Sequence, residues 1–258
     1  MKIPAALSIA GSDPSGGAGI QADLKTFHQR GVYGMAAITL LTVQNTIRVS
    51  AVDVLAPELV EAQIRAVLED ISPGAAKTGA LGDEKIVRML ARLAEEFNFP
   101  LIVDPVMISK HGNALMNEQA RGVLTEALLP RAYLVTPNLH EAAELAGIAV
   151  RDIESMERAA EKIISLGARG ALIKGGHLEG DAVDLFRFEN ETVLLSSPRV
   201  KTRHTHGTGC VYSACITAEL AKGNMIKTAV SAAKEFITRA IEAAPGLGQG
   251  SGPVNHFV

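Results

Sequence analysis

Three short apolar runs constrain this chain more than any other feature, because each one stops abruptly at polar residues. Leu101-Ile102-Val103 ends at Asp104-Pro105, Tyr133-Leu134-Val135 at Thr136-Pro137-Asn138, and Ala171-Leu172-Ile173 at Lys174-Gly175-Gly176. Runs of this length and composition suit strands buried on both faces. Stretches of helical periodicity lie between them. That alternation predicts an α/β fold with a central, mainly parallel β-sheet flanked by helices on both faces. Open sheets of this kind hold ligands at the carboxyl ends of their strands. The polar endings therefore predict a site.

The same patterning extends along the rest of the chain. Ala5–Ala10 reads as a strand, residues 11–19 as a polar loop and 20–30 as a helix. Residues 35–43 read as one further strand. Pro57 opens a helix at the favoured first-turn position, with Leu59, Ile64, Val67, Leu68 and Ile71 on one face. Ala75–Thr78 reads as extended, and Ile86, Leu90, Leu93 and Ala94 mark an amphipathic helix. A hairpin is predicted from residues 183–188 and 192–195 around Glu189-Asn190-Glu191. Helices follow over 210–222 and 226–244, then an irregular Gly-rich tail. No repeat, linker or charge block divides residues 1–258, which read as one domain.

Composition narrows the function classes. Hydrophobic residues make up 47% and aromatics 4%, so Ala, Val, Ile and Leu must build the core. A formal charge of −3 argues against nucleic acid as the main partner. Cys210 and Cys215, on one predicted helix, are a poor disulfide pair and a poor metal pair. No signal-peptide pattern and no apolar run of membrane-spanning length is visible, so a reduced, cytoplasmic setting without a membrane partner is expected.

Chemistry concentrates in a few motifs. His206-Gly207-Thr208-Gly209-Cys210 precedes the apolar run Val211-Tyr212-Ser213-Ala214-Cys215-Ile216. A Gly-rich turn opening a helix aims several N–H groups at one spot, which makes an anion site. Cys210 falls in the first turn, where the helix dipole favours a thiolate. An anion cradle beside a base suggests phosphoryl transfer; the alternative is a glycine turn before a core helix with a buried Cys. The loop from Gly11 to Gly19 lacks both the dinucleotide-binding spacing and the Lys-Ser/Thr end of a Walker loop. It reads either as a surface turn or as a cover for a small substrate, with Asp23 in the next helix as an acceptor. Gln44 carries an amide donor and acceptor, suited to a heterocycle edge or to a turn cap with Asn45.

Asp104, directly after three apolar residues, needs a partner if buried. It suits magnesium or a magnesium-bound water. Pro105 and the polar stretch to Asn113 weigh against a helix N-cap. Asn138 and Glu141 share one face at a helix start, as a capping box, a magnesium–phosphate site, or both. Lys174, backed by Gly175-Gly176, could neutralise a nucleotide phosphate. The seven histidines show no metal-binding spacing and no triad with Cys210.

Taken together, several of these motifs resemble one family. They are Gly11-Ser12-Asp13 with Gly16-Gly17-Ala18-Gly19-Ile20-Gln21-Ala22-Asp23, Thr42-Val43-Gln44-Asn45-Thr46, Asp104-Pro105-Val106-Met107, Thr136-Pro137-Asn138-Leu139-His140-Glu141-Ala142, Lys174-Gly175-Gly176-His177 and His206-Gly207-Thr208-Gly209-Cys210. In order and spacing they resemble the hydroxymethylpyrimidine/phosphomethylpyrimidine kinases of thiamine biosynthesis, over nearly the whole chain. The resemblance implies a ribokinase-like domain, ATP and magnesium as cofactors, and two successive phosphorylations of 4-amino-5-hydroxymethyl-2-methylpyrimidine. A pyridoxine or pyridoxal kinase of the same fold is the neighbouring alternative. It implies that Gly207, Gly209 and Cys210 form the catalytic anion hole, and that Gly11, Asp23, Gln44 and Met107 surround the pyrimidine. Lys174, Thr208 and Asn138 are assigned to ATP, Asp104 and Glu141 to magnesium. A homodimer is expected on the same ground. One departure is Val211-Tyr212, where the family pattern has Thr followed by an apolar residue; a hydroxyl contact to ATP phosphate would be lost there.

Overall fold

Strands buried on both sides require helices above and below them, and the chain is built that way. The computed structural model describes residues 3–108, 112, 114–176, 178 and 180–258. Asn113 and His177, named above, lie outside the described residues. In chain order the strands are β1 (Ala5–Ala10), β2 (Tyr33–Ile38), β3 (Leu40–Gln44), β4 (Val49–Val54), β5 (Ala75–Thr78), β6 (Leu101–Val103), β7 (Leu134–Val135), β8 (Gly170–Ile173), β9 (Ala182–Phe188) and β10 (Glu191–Ser197). The helices are α1 (Gly19–Gln29), α2 (Pro57–Asp70), α3 (Glu84–Leu93), α4 (Glu118–Val123), α5 (Leu139–Ala146), α6 (Ile153–Ser165), α7 (Thr208–Ala221) and α8 (Ile226–Glu242).

The main sheet has eight strands in the order β10-β9-β8-β7-β6-β5-β1-β2. Every neighbouring pair from β8 to β2 is parallel, and β9–β10 is an antiparallel hairpin on one edge. Side chains alternate between two cores, as the pleat demands. Leu7, Ile9, Ala76, Val103, Val135 and Ile173 pack with Ile64 of α2, Leu90 of α3 and Ile163 of α6. On the opposite face Ala75, Ile102, Leu134 and Leu172 pack with Ile216 of α7 and Phe236 of α8. From Val211 to Leu220, α7 is buried on every side, the mark of a core helix. The same period of two places Lys77, Asp104, Thr136 and Lys174 on the α7 face, one step beyond its apolar layer. The sheet thus carries its polar endings to the N-terminus of α7.

Two expectations are corrected. Residues 35–43 are two strands, because the chain turns away at buried Thr39. Its N–H donates to Ala10 O (3.1 Å), its hydroxyl to Ala80 O (2.6 Å), and its carbonyl accepts from Leu55 (2.9 Å). β3 then leaves the main sheet and pairs with β4 in a separate antiparallel ribbon. On α2 the inward residues are Val60 and Ile64, while Leu59 is 53% and Ile71 38% exposed. Ile71 already lies past the helix end. No helix among the described residues is long and apolar enough to cross a membrane.

The helix face is testable by equilibrium denaturation. Ile64→Ala should cost about 2–5 kcal/mol, as for other buried large-to-small changes. Leu59→Ala should stay within about 0.5 kcal/mol. Equal losses would contradict this phase of α2.

Candidate active site

β1 has β2 on one side and β5 on the other, so the loop leaving β1 starts at the topological switch point of the sheet. Asp13, fully buried, organises that loop. Its carboxylate accepts the N–H groups of Ser15 (2.9 Å), Gly17 (3.1 Å) and Ala18 (2.8 Å) and the Ser15 hydroxyl (2.7 Å). Its Oδ2 also lies 2.8 Å from His206 Nε2, at the head of the second glycine turn. Burial opposes ionisation, but the hydrogen bonds from His206 and Ser15 outweigh it and hold Asp13 below the usual carboxylate range. The two turns are also in van der Waals register. Gly207 has φ 78°, and a Cβ there would run into the Gly17 carbonyl oxygen. Only glycine lets the turns meet.

The second turn opens α7. Thr208 spends its hydroxyl on Thr205 O (2.7 Å), and residues 207–210 remain partly exposed. A Cβ on Gly209 would lie 3.3 Å from Lys174 Nζ and 3.7 Å from Asp104 Oδ2, so the helix terminus sits directly above that pair. Asp104 has the partner its burial requires: Lys174 Nζ at 3.0 Å, with the Thr136 hydroxyl at 3.2 Å and the Ser213 hydroxyl from α7 at 3.2 Å. Burial would raise its pKa, yet Lys174 and Lys77 hold it below the ordinary range. Asn138 and Glu141 do form a capping box on α5, each side chain 2.9 Å from the other's backbone N–H. Glu141 is nevertheless unusual, because burial, with Asp104 nearby, pushes its carboxyl up to about 7.

Three expected roles meet a different geometry. Asp23 is not an open acceptor: it is fully buried, 2.8 Å from Lys77 Nζ, and accepts the Ser8 hydroxyl at 2.6 Å. Met107 is 1% exposed and belongs to the core, not to an open wall. The Cys210 thiol is not a ready thiolate. Burial pushes it up to about 11; Lys77 pulls the other way, but Asp23 and Asp104 oppose that pull. Burial and neighbouring carboxylates outweigh the helix dipole.

The glycine loop and the ribbon are tied together. Ser12 N–H donates to Leu40 O (2.9 Å), and the Thr42 hydroxyl donates to Ser12 O (2.9 Å). Gln44, half-buried at a bulge, ends the strand that these bonds tie to the loop. The tail, read as irregular, is a strap. Ser251 N–H donates to Thr46 O (2.9 Å), and His206 N–H donates to Gly252 O (3.0 Å). Val211 and Tyr212 are both buried, and the Tyr212 hydroxyl lies 3.2 Å from Asp184. The departure at Val211-Tyr212 thus faces the interior. Asp13, His206 and Lys77 were overlooked as site residues. The only sequence signal for Lys77 was a lysine inside an otherwise apolar buried strand.

The family model for phosphomethylpyrimidine kinase matches residues 13–255. The chain belongs to the phosphomethylpyrimidine kinase family. Curated relatives named hydroxymethylpyrimidine/phosphomethylpyrimidine kinase include those of Bacillus subtilis, 44% identical over 100% of this chain and 96% of the relative, and Rhizobium meliloti, 49% identical over 98% and 96%. Among solved structures, the ADP complex of Bacillus subtilis pyridoxal kinase is 40% identical with a TM-score of 0.91, covering 99% of this chain and 98% of its own. Phosphomethylpyrimidine kinase from Clostridium difficile is 44% identical with a TM-score of 0.82, covering 92% and 99%. Membership of this phosphomethylpyrimidine kinase family makes the chain an ATP-using phosphotransferase with a ribokinase-like fold.

The Glu141 shift has a sign that can be measured in magnesium-free buffer. The folded carboxyl holds its proton to a higher pH than the unfolded one, so the folded state binds more protons between about 4.5 and about 7. Its contribution to stability is therefore present at low pH and lost as pH rises through about 7. Urea titrations should show stability falling across that window, and Glu141→Gln should flatten the fall. An unchanged slope in the variant would contradict the assignment.

Proposed function

We propose that this chain, as one kinase domain over residues 1–258, transfers the γ-phosphoryl group of ATP to 4-amino-5-hydroxymethyl-2-methylpyrimidine and then to the resulting monophosphate, in thiamine biosynthesis. The observation that carries this reading is identity. Full-length relatives named for these two activities reach 44–49%, against 37–40% for the pyridoxal kinase structures. Pyridoxal kinase is the second reading. Its supporting observation is shape: the Staphylococcus aureus pyridoxal kinase bound to AMP-PCP and pyridoxal has a TM-score of 0.92, above the 0.82 of the Clostridium difficile enzyme.

Phosphoryl transfer asks a protein chiefly for in-line positioning and neutralisation of charge. The Gly207–Cys210 turn supplies backbone N–H groups for the terminal phosphates, and Lys174 and Asn138 flank them. Asp104 and Glu141 suit magnesium, which commonly takes one or two protein carboxylates together with phosphate oxygens. Both are buried, Asp104 lies 3.0 Å from the Lys174 ammonium, and that lysine draws each toward its charged form. Held there by Asp104 and Glu141, magnesium would supply neutralisation of charge on the terminal phosphates. The Gly11–Gly19 loop covers the acceptor, and Gln44 reads its aminopyrimidine edge. Cys210, its thiol protonated, orients the acceptor hydroxyl in the first reaction; the monophosphate, with a second pKa of about 6, arrives ionised. A cytoplasmic homodimer completes the reading. The ribbon supports it, since two strands alone are marginally stable and Leu41, Val43 and Ile47 are 44%, 61% and 53% exposed, an apolar surface for a second copy.

Single-turnover kinetics with each acceptor tests the proposal. The pyrimidine alcohol should be preferred to pyridoxal, and its monophosphate should also be phosphorylated. Cys210→Ala should slow the alcohol step by about 10-fold, the worth of one orienting hydrogen bond, and the monophosphate step less. A preference for pyridoxal would install the second reading. A loss of ~10² or more confined to the alcohol step would instead make Cys210 a general base.

A further inference from the structure

Lys77 has no role in the phosphoryl transfer proposed above, yet it is fully buried at the carboxyl end of a central strand. A buried ammonium is costly unless its charge is answered. Here it is answered by one carboxylate, Asp23 Oδ1 at 2.8 Å. The other oxygen of Asp23 accepts the hydroxyl of Ser8, which stands beside Lys77 in the β1–β5 register. Replacing such a buried pair by apolar residues of similar volume is often neutral or stabilising. Stability alone therefore does not account for its presence.

Its position suggests another reason. Ser8 lies on β1, Lys77 on β5 and Asp23 on α1, the elements that meet under α7. Beyond them the charges alternate in a row beneath the helix terminus: Asp23, Lys77, Asp104, Lys174, Glu141. Lys77 lies on the α7 face of β5, next to the strand that leads into Asp104. Asp104 with Lys174 sits directly beneath Gly209, so the Lys77 ammonium belongs to the row under the turn. Lys77 in turn is held protonated against burial by Asp23, with Asp104 adding to it. A fixed charge in a dry site stabilises developing negative charge without reorganising during the reaction.

We infer that Lys77 is a positioning residue for phosphoryl transfer: its ammonium, held by Asp23 and Ser8, adds positive potential beneath the Gly207–Cys210 turn, where the charge of the transferring group gathers. The inference rests on the phosphoryl-transfer reading above. Lys77 acts through the turn and touches no substrate.

The pair and the charge can be separated. Lys77→Met alone strands Asp23 and should destabilise the fold. Lys77→Met with Asp23→Leu removes both charges and should melt within a few degrees of the wild type. If the pair is only structural, that double variant recovers full turnover. If Lys77 supplies potential, kcat stays down on the order of 10-fold or more, while KM for ATP and for the acceptor changes little. Asp23→Asn, which keeps the ammonium and removes its counter-charge, should lose stability but far less kcat than the double variant. Wild-type turnover in the double variant overturns the inference. So does a kcat loss in Asp23→Asn on the order of 10-fold or more, because that variant keeps the ammonium; this arm is read against the wild type alone and stands if the double variant does not fold. The variants are compared on whichever acceptor the wild type phosphorylates best. Failure of the pyrimidine assignment and failure of this inference are then read from different numbers.

Discussion

The carboxylate of Asp13 is the interaction on which the rest of the site depends. It gathers the N–H groups of Ser15, Gly17 and Ala18 from one glycine turn and reaches His206 in the other. Two segments nearly two hundred residues apart in sequence are thereby held at a spacing that only glycine tolerates, at Gly207 against Gly17. The two glycine turns are thus joined at the switch point of the sheet. The tail strengthens this by bonding to His206 and to Thr46 of the β3–β4 connection.

Beneath that clamp the sheet presents charges, and their arrangement follows from strand periodicity. An apolar residue at one position and a polar one two further on put Lys77, Asp104 and Lys174 on the α7 face. Each of the lysines has a carboxylate at 2.8–3.0 Å, so the row is internally compensated before any ligand arrives. Compensation of this kind costs desolvation, which nearby opposite charge only partly offsets. The space above Gly209 faces the helix terminus, with Lys174 directly beneath it. Glu141, with its proton held to about 7, completes the row at its far end.

Much of this was legible in the sequence because it depends on local patterns. Apolar runs ending in Asp104, Thr136 and Lys174 announced both the sheet and the side of it that carries the chemistry. The capping box of Asn138 and Glu141 follows from spacing alone. The β3–β4 ribbon was not legible, because Val49–Val54 is exposed and shows no buried face. Nor was the turn at Thr39, whose bonds go to Ala10, Ala80 and Leu55. The environments of Asp23, Met107 and Cys210 were misjudged for one reason. Sequence shows which element a residue belongs to, but burial and the partner across the core decide whether a carboxylate is open or a thiol ionised.

Hydrogen exchange of the backbone amides in an Asp13→Asn variant tests the clamp most directly. A neutral amide keeps the size of the side chain but loses the charge and half of its acceptor capacity. If Asp13 joins the two turns, protection should fall at residues 15–18 and also at 207–210, on the far side of the His206 contact, while β1 and β5 stay protected. Loss confined to residues 15–18, with 207–210 as protected as in the wild type, would show that the anion turn stands without Asp13 and would contradict the account.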